Sequence, residues 1–242
     1  MSLGQVITYY LLERSLKVMS KDVYTELQSQ LKARLALELP GITAQARMAP
    51  PERFPKNLNK KDPFQTNSAT RVGCVLILLY PDKNQKIHFP LIVRPKYEGV
   101  HSGQVAFPGG KKDPEDIDFI DTALRETLEE VGVEVSRTQV LGELSKLYIP
   151  PSNFLVYPVV AAIPHEPVFV PSPREVDRML TVDLMSMLGD AKREVKQVMW
   201  KGKEVQLPYY NIEGNTVWGA TAMILGEFMT IIEELELLPM LD

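Results

Sequence analysis

The stretch HSGQVAFPGGKKDPEDIDFIDTALRETLEEVGV, residues 101–133, decides how this chain is read. Its second half predicts one amphipathic helix of about four turns. Ile120, Ala123, Leu124, Thr127, Leu128 and Val131 recur at helical spacing and form an apolar stripe. Arg125, Glu126, Glu129 and Glu130 fall away from that stripe, and residues three or four apart on a helix are neighbours. The three carboxylates can therefore converge on one point, where like charges repel unless a cation sits among them. Carboxylate oxygens are the ligands that hard divalent cations such as Mg2+ and Mn2+ take. Gly132 supplies the helix stop. Ahead of the helix, Phe107-Pro108-Gly109-Gly110 breaks a strand-like run and lets backbone approach a ligand closely.

A glutamate-rich helix face taken alone is as a rule solvated, and Arg125 would be an ordinary surface ion pair. The whole string overrides that reading. Gly-Gly, a short acidic loop, then Arg-Glu-x-x-Glu-Glu-x-Gly and an aliphatic residue resembles the signature of the Nudix hydrolases. From Arg125 to Val133 the match departs at Thr127, where the family usually has an aliphatic residue. HSGQVAFPGG, and PYYNIEGNTVWGATA at 208–222, resemble the Nudix subgroup that hydrolyses coenzyme A. Counting from Gly110, the loop acid is Asp116, in place of the family's Glu, and the loop is one residue longer than the general pattern. The subgroup shares that longer loop. Against it, Arg94 matches the subgroup's upstream motif, but Pro95 and Gly99 stand where a Ser and a second Arg are expected. That departure bears on how the substrate's phosphates are recognised.

The resemblance implies a Nudix fold, a mixed sheet between helices, over residues 68–242, preceded at 1–67 by a helical extension and an arm. It implies Glu126, Glu129 and Glu130 as Mg2+ or Mn2+ ligands. Glu126 and Glu130, a helical turn apart, are the direct pair, and Glu129 is either ligand or general base. Arg125 would orient the glutamates through an ion pair. One of these glutamates, or a carboxylate from a distant loop, would activate the attacking water. Glu175, in PREVDRML, is a candidate for that loop acid, the alternative being a solvated side chain. Arg94, Phe107, Gly109 and Gly110 are expected at the substrate, Arg94 as a phosphate contact or else a strand-end surface charge. His101 either touches substrate or makes a structural hydrogen bond.

Composition sets the outer limits. The chain has 242 residues, 45% hydrophobic and 24% charged, with a net charge of −4. Those values suit a globular protein with a real core, and the acidic balance argues against a nucleic-acid footprint. They leave room for a small anionic nucleotide substrate whose charge a bound metal offsets. The lone cysteine, Cys74, lies in the apolar run VGCVLILLY and is expected to be buried and inert. With three histidines and one cysteine a tetrahedral zinc site is disfavoured. No Walker-type phosphate loop is present, no run reaches membrane-span length and no signal-peptide pattern opens the chain. The expectation is a cytoplasmic enzyme.

Along the chain, residues 4–37 read as helical up to Pro40-Gly41. A packing helix is the plain reading and an oligomer contact, as in a homodimer, the alternative. Residues 42–67, rich in Pro, Lys and Asn, read as a surface arm too polar for core. Strands are expected at 71–80 and 88–93, a hairpin turning at Pro81–Asn84, and at 105–107, 138–149, 154–163 and 176–182. Residues 184–188 suggest a short helix, and 194–200 with 204–209 a hairpin turning at 201–203. A last helix spans 218–238, with Ile224, Phe228, Ile231, Ile232 and Leu235 facing the core. Strands on both sides of a helix, not in strict βαβ repeats, indicate an α+β or three-layer α/β/α fold.

Overall fold

The central strand β1 (Arg71–Pro81) carries an almost unbroken buried run, the pattern of a strand covered on both faces. In the computed structural model, which describes residues 21–51, 66–98, 101–189, 193–200 and 202–235, it is the hub of one sheet. The elements in chain order are α1 (Lys21–Leu35), α2 (Ile42–Gln45), β1, β2 (Ile87–Val93), β3 (Val105–Ala106), β4 (Gly109–Lys111), α3 (Phe119–Val131), β5 (Val140–Glu143), β6 (Leu147–Ile149), β7 (Phe154–Ala162), β8 (Arg178–Asp183), β9 (Arg193–Trp200), β10 (Lys203–Ile212), β11 (Asn215–Trp218) and α4 (Gly219–Glu234). β1 runs parallel to β7 from Arg71↔Phe154 to Leu79↔Ala162. It is antiparallel to β4 and, at Tyr80↔His88, to β2. β3 and β8 extend the sheet beyond β2, and β5 and β6 beyond β7; β9, β10 and β11 form a separate antiparallel sheet.

Side-chain alternation sorts the core into two layers. Cys74, Leu76, Leu78 and Tyr80 pack with Ala123, Val131, Val159 and Ala161 on the α3 side. Ile77 and Leu79 face α1 and α4, meeting Leu27, Leu31, Met223, Phe228 and Ile232. The expected mixed sheet between helices is what forms. The sequence boundary at 67/68 is not a break in packing, since Tyr24, Leu27, Leu31 and Leu35 sit in the same cluster as α4. Tyr24 ties α1 further, its hydroxyl donating to the carbonyls of Leu79 (3.0 Å) and Ile163 (2.9 Å).

Several expectations are corrected. The described leading helix is Lys21–Leu35, and residues 4–20 of the expected one lie outside the described residues. The segment after Gly41 is not a surface arm where it is described: Ala44, Gln45, Met48 and Ala49 are buried. Buried Glu227 holds it there, accepting from Gly41 N (3.0 Å), Gln45 Nε2 (2.8 Å) and Ser145 N (3.3 Å). Residues 52–65 of the arm, and Gly99, lie outside the described residues. The strand expected at 138–149 divides into a Ser136-capped 3-10 turn, β5 and β6, with Leu144 buried between the strands. The last helix starts at Gly219, because Asn215–Trp218 pairs with β10 as β11. Among the described residues no helix is long and apolar enough to cross a membrane.

Candidate active site

Helix α3 is fixed at both ends by its own sequence. Asp118 caps the start, its carboxylate accepting from the N–H groups of Ile120 and Asp121 (both 3.0 Å). Gly132, at φ 72°, ends it, its N–H donating to Leu128 O at 2.9 Å. The stripe differs from the expected one. Leu128 is 47% exposed, whereas Glu130 is only 3% exposed and lies with Ala123, Thr127 and Val131 on the buried face.

The structure divides the three glutamates. Glu130 is aimed at the paired glycines, Oε2 accepting from Gly109 N at 2.7 Å. Burial is the main reason its pKa rises to about 7; the Gly109 N–H and Arg94 oppose the rise, and the charges of Glu126 and Glu175 add to it. Glu126 is also raised, by burial first, with Arg125 opposing and Glu129 and Glu175 adding repulsion. Glu129 is more than half exposed and is tied to Arg125 Nη1 at 3.3 Å. The expected convergence of all three on one point is therefore not what forms. Among the described residues, no three His, Cys, Asp or Glu side chains are gathered closely enough to hold an ion in this arrangement.

The glycines act differently from the expected open loop. They form β4, paired with β1 at Val75↔Gly109 and Cys74↔Gly110. A Cβ on Gly109 would lie 2.2 Å from Cys74 O, and one on Gly110 would lie 2.2 Å from Glu126 Oε2. Gly110 is thus the space that the Glu126 carboxylate occupies. Arg125 locks this arrangement from outside. Its guanidinium grips Asp116 (Nε–Oδ1 2.8 Å, Nη2–Oδ2 3.0 Å), donates to Lys111 O (3.2 Å) and reaches Glu126 Oε1 at 3.0 Å. Asp116 also accepts from Asp113 N (2.9 Å) and Thr122 Oγ1 (2.8 Å). Arg125 above all holds the Asp116 carboxyl well below the usual range.

A family model described as NUDIX domain matches residues 70–200, more than half of the chain. The chain belongs to the Nudix hydrolase family. The Nudix hydrolase NudL of Photorhabdus laumondii subsp. laumondii is 37% identical over 127 residues, 52% of this chain and 67% of that protein. NudL of Yersinia enterocolitica is 39% identical over 127 residues, 52% of this chain and 64% of the relative. The aligned part thus spans about two-thirds of these relatives' length. A MutT/Nudix family protein from Enterococcus faecalis shares the fold, with a TM-score of 0.51 at 16% identity, covering 73% of this chain and 67% of that one.

Around the Nudix helix the other expected residues separate. Arg94 faces the site, Nη2 lying 4.0 Å from Glu130 Oε1 and donating to Gly109 O at 3.3 Å. Phe107 is a correction: its ring is 1% exposed and packs 6.1 Å from that of Phe89, centroid to centroid, so it presents no face to a ligand. Gly109 is buried, with its N–H committed to Glu130. His101 Nδ1 lies 3.0 Å from Gln104 Oε1, the structural hydrogen bond of the two readings. The Glu175 loop is pinned to the site, Ser172 N donating to Glu130 O (2.8 Å) and Asp177 N to Val93 O (2.9 Å). Asp116 and Thr122 were not among the expected site residues; the loop spacing alone pointed at Asp116.

The donor chemistry fits a hard divalent cation. Glu126 and Glu130 are oxygen donors whose negative charge is raised in energy by burial and mutual repulsion, with the Glu175 charge close by. Two guanidiniums face the four carboxylates here: Arg125 reaches Glu126 at 3.0 Å but is shared with Asp116 and Glu129, and Arg94 stands 4.0 Å from Glu130.

Proposed function

We propose that this protein is a metal-dependent hydrolase that lets water cleave the diphosphate of a nucleoside diphosphate derivative, coenzyme A or an acyl-CoA above all. The products would be a phosphopantetheine and adenosine 3′,5′-bisphosphate. The observation that carries the reading is the pairing of buried Glu130 with half-buried Glu126, wedged against Gly109-Gly110 with more negative charge than their neighbours offset. Those two would hold Mg2+ or Mn2+, with Glu129 at the exposed margin. The bound cation would offset phosphate charge and make water a better nucleophile. Arg125 orients Glu126 while anchored on Asp116, and Arg94 receives a phosphate oxygen. Glu175 accepts the proton of the attacking water, because Glu129 is held by the Arg125 guanidinium.

Coenzyme A is favoured by HSGQVAFPGG, by the lengthened loop to Asp116 and by PYYNIEGNTVWGATA. A second reading, ADP-ribose or a sugar nucleotide, is favoured by Pro95 and Gly99 standing where the subgroup has Ser and Arg. We place the activity in the cytoplasm, where the single thiol, Cys74, stays reduced. The test is a substrate panel on the full chain with Mn2+, products identified by mass spectrometry. Phosphopantetheine as the leading product is expected. Faster turnover of ADP-ribose overturns the coenzyme A reading, and no turnover of any diphosphate overturns the hydrolase reading.

A further inference from the structure

We propose that Gly132 is a positioning residue for the reaction: it opens the end of α3 so that the loop between β7 and β8, residues 163–177, docks there and holds Glu175 at a fixed reach from Glu126 and Glu130. The inference rests on the proposed role of Glu175 as the group that takes the proton of the attacking water. The last turn of a helix leaves carbonyls without partners inside the helix. At the end of α3 the loop takes two of them, Val170 N donating to Val131 O and Ser172 N to Glu130 O, both at 2.8 Å. Glu130 thus serves twice, its side chain at Gly109 and its carbonyl under the loop. From Ser172 the chain closes a turn, Glu175 N (3.1 Å) and Val176 N (2.9 Å) both donating to Ser172 O. Val176, 5% exposed, then enters the core cluster that contains Val131. Asp177 N donates to the carbonyl of Val93, the residue before Arg94, at 2.9 Å. Glu175 is therefore suspended between one anchor on α3 and another beside Arg94, and both Glu126 and Glu130 feel its charge.

Gly132 is what lets the first anchor form. A Cβ there would lie 2.8 Å from Val170 Cβ and 3.0 Å from Val170 O, so a side chain at this position pushes the loop off the helix end. The left-handed φ of 72° alone would admit asparagine as well as glycine; the contact with Val170 leaves glycine. Burial does not account for the docking at this point. Val170 is 65% exposed and Val168 83%, so the two hydrogen bonds seat the loop on α3 where apolar packing does not. Catalytic geometry is steep in distance: a shift of about 1 Å in a reacting group costs up to about 100-fold in rate.

Gly132→Asn separates the two roles of the glycine, because asparagine ends a helix in the same conformation yet carries the Cβ. On the fastest substrate of the panel, with Mn2+, it should lower kcat about 10–100-fold while KM and Mn2+ binding stay at the parent's values. In a Glu175→Gln background the same change should lower kcat no further, since the group it displaces is already gone. Ser172→Pro deletes the donor to Glu130 O without touching α3. It should reproduce both results, and it carries the test if the asparagine variant does not fold. Parent-like kcat in either folded variant, or losses that add in full to that of Glu175→Gln, would overturn the positioning role. Parent-like kcat in Glu175→Gln alone would overturn the proposed role of Glu175, and the positioning inference with it.

Discussion

Two buried glutamates on two helices have opposite surroundings. Glu227 on α4 is 0% exposed and Glu130 on α3 is 3% exposed, and burial raises the pKa of both. Glu227 is surrounded by donors: Gly41 N, Gln45 Nε2 and Ser145, through its backbone and side chain, all lower the pKa that burial lifts. Glu130 has one strong donor, Gly109 N, and faces the charges of Glu126 and Glu175. A satisfied carboxylate pins a segment in place. One kept among like charges costs stability, and groups perturbed in this way cluster at functional sites.

The sharpest way to break the contrast is to neutralise each acid in turn. Glu130→Gln should lower diphosphate turnover by about three orders of magnitude while thermal unfolding shows a protein at least as stable as the parent. Turnover near that of the parent would remove Glu130 from the site. Asp116→Asn should lower turnover by about 10–100-fold, because Arg125 loses the anchor that lets it orient Glu126. It should also lower stability by roughly 3 kcal/mol in urea unfolding, the scale for breaking a buried pair.

pH separates the two kinds of carboxylate by sign. Glu130 has its folded pKa raised to about 7, so below that value the folded state binds a proton that the unfolded chain releases above ~4.3. Metal-free protein should therefore lose stability as pH rises from about 4.3 to 7, by at most about 4 kcal/mol, and Glu130→Gln should flatten that slope. Asp116, depressed by Arg125, works the other way: its contribution is present above ~3.9 and disappears as pH falls further toward the folded value. Urea midpoints at a series of pH values measure both. The smallest effect belongs to Glu227→Ala, which should cost about 2 kcal/mol in the same unfolding assay by stranding the donors of Gly41, Gln45 and Ser145. Its kcat should match the parent's.

Much of this architecture was legible in sequence wherever periodicity and turn chemistry agreed. The run VGCVLILLY gave a buried strand, Lys201-Gly202-Lys203 announced the β9–β10 hairpin, and Gly132 ended α3. Glu130 has a residue type that argues for an exposed face and a position that argues for the buried one. It lies seven residues after Ala123 and three after Thr127, on the stripe that is buried. β4 was hidden because Gly-Gly reads as a loop, whereas the glycines are there so that β4 can approach β1 and Glu126. The buried turn around Met48 escaped because its anchor, Glu227, is far along the chain and acts through backbone N–H groups and amides that carry no local signal. Phe107 adjoins the signature glycines in sequence, but side-chain alternation turns its ring into the core.

The most direct measurement is Mn2+ binding, followed by the paramagnetic resonance signal of the free ion as the full chain is titrated near pH 8. The wild-type chain should remove Mn2+ from solution, Glu126→Gln and Glu130→Gln should weaken that binding at least ~10-fold, and Glu227→Gln should leave it unchanged. Binding by Glu130→Gln as tight as by the wild type, or no binding by the wild type, would contradict the account.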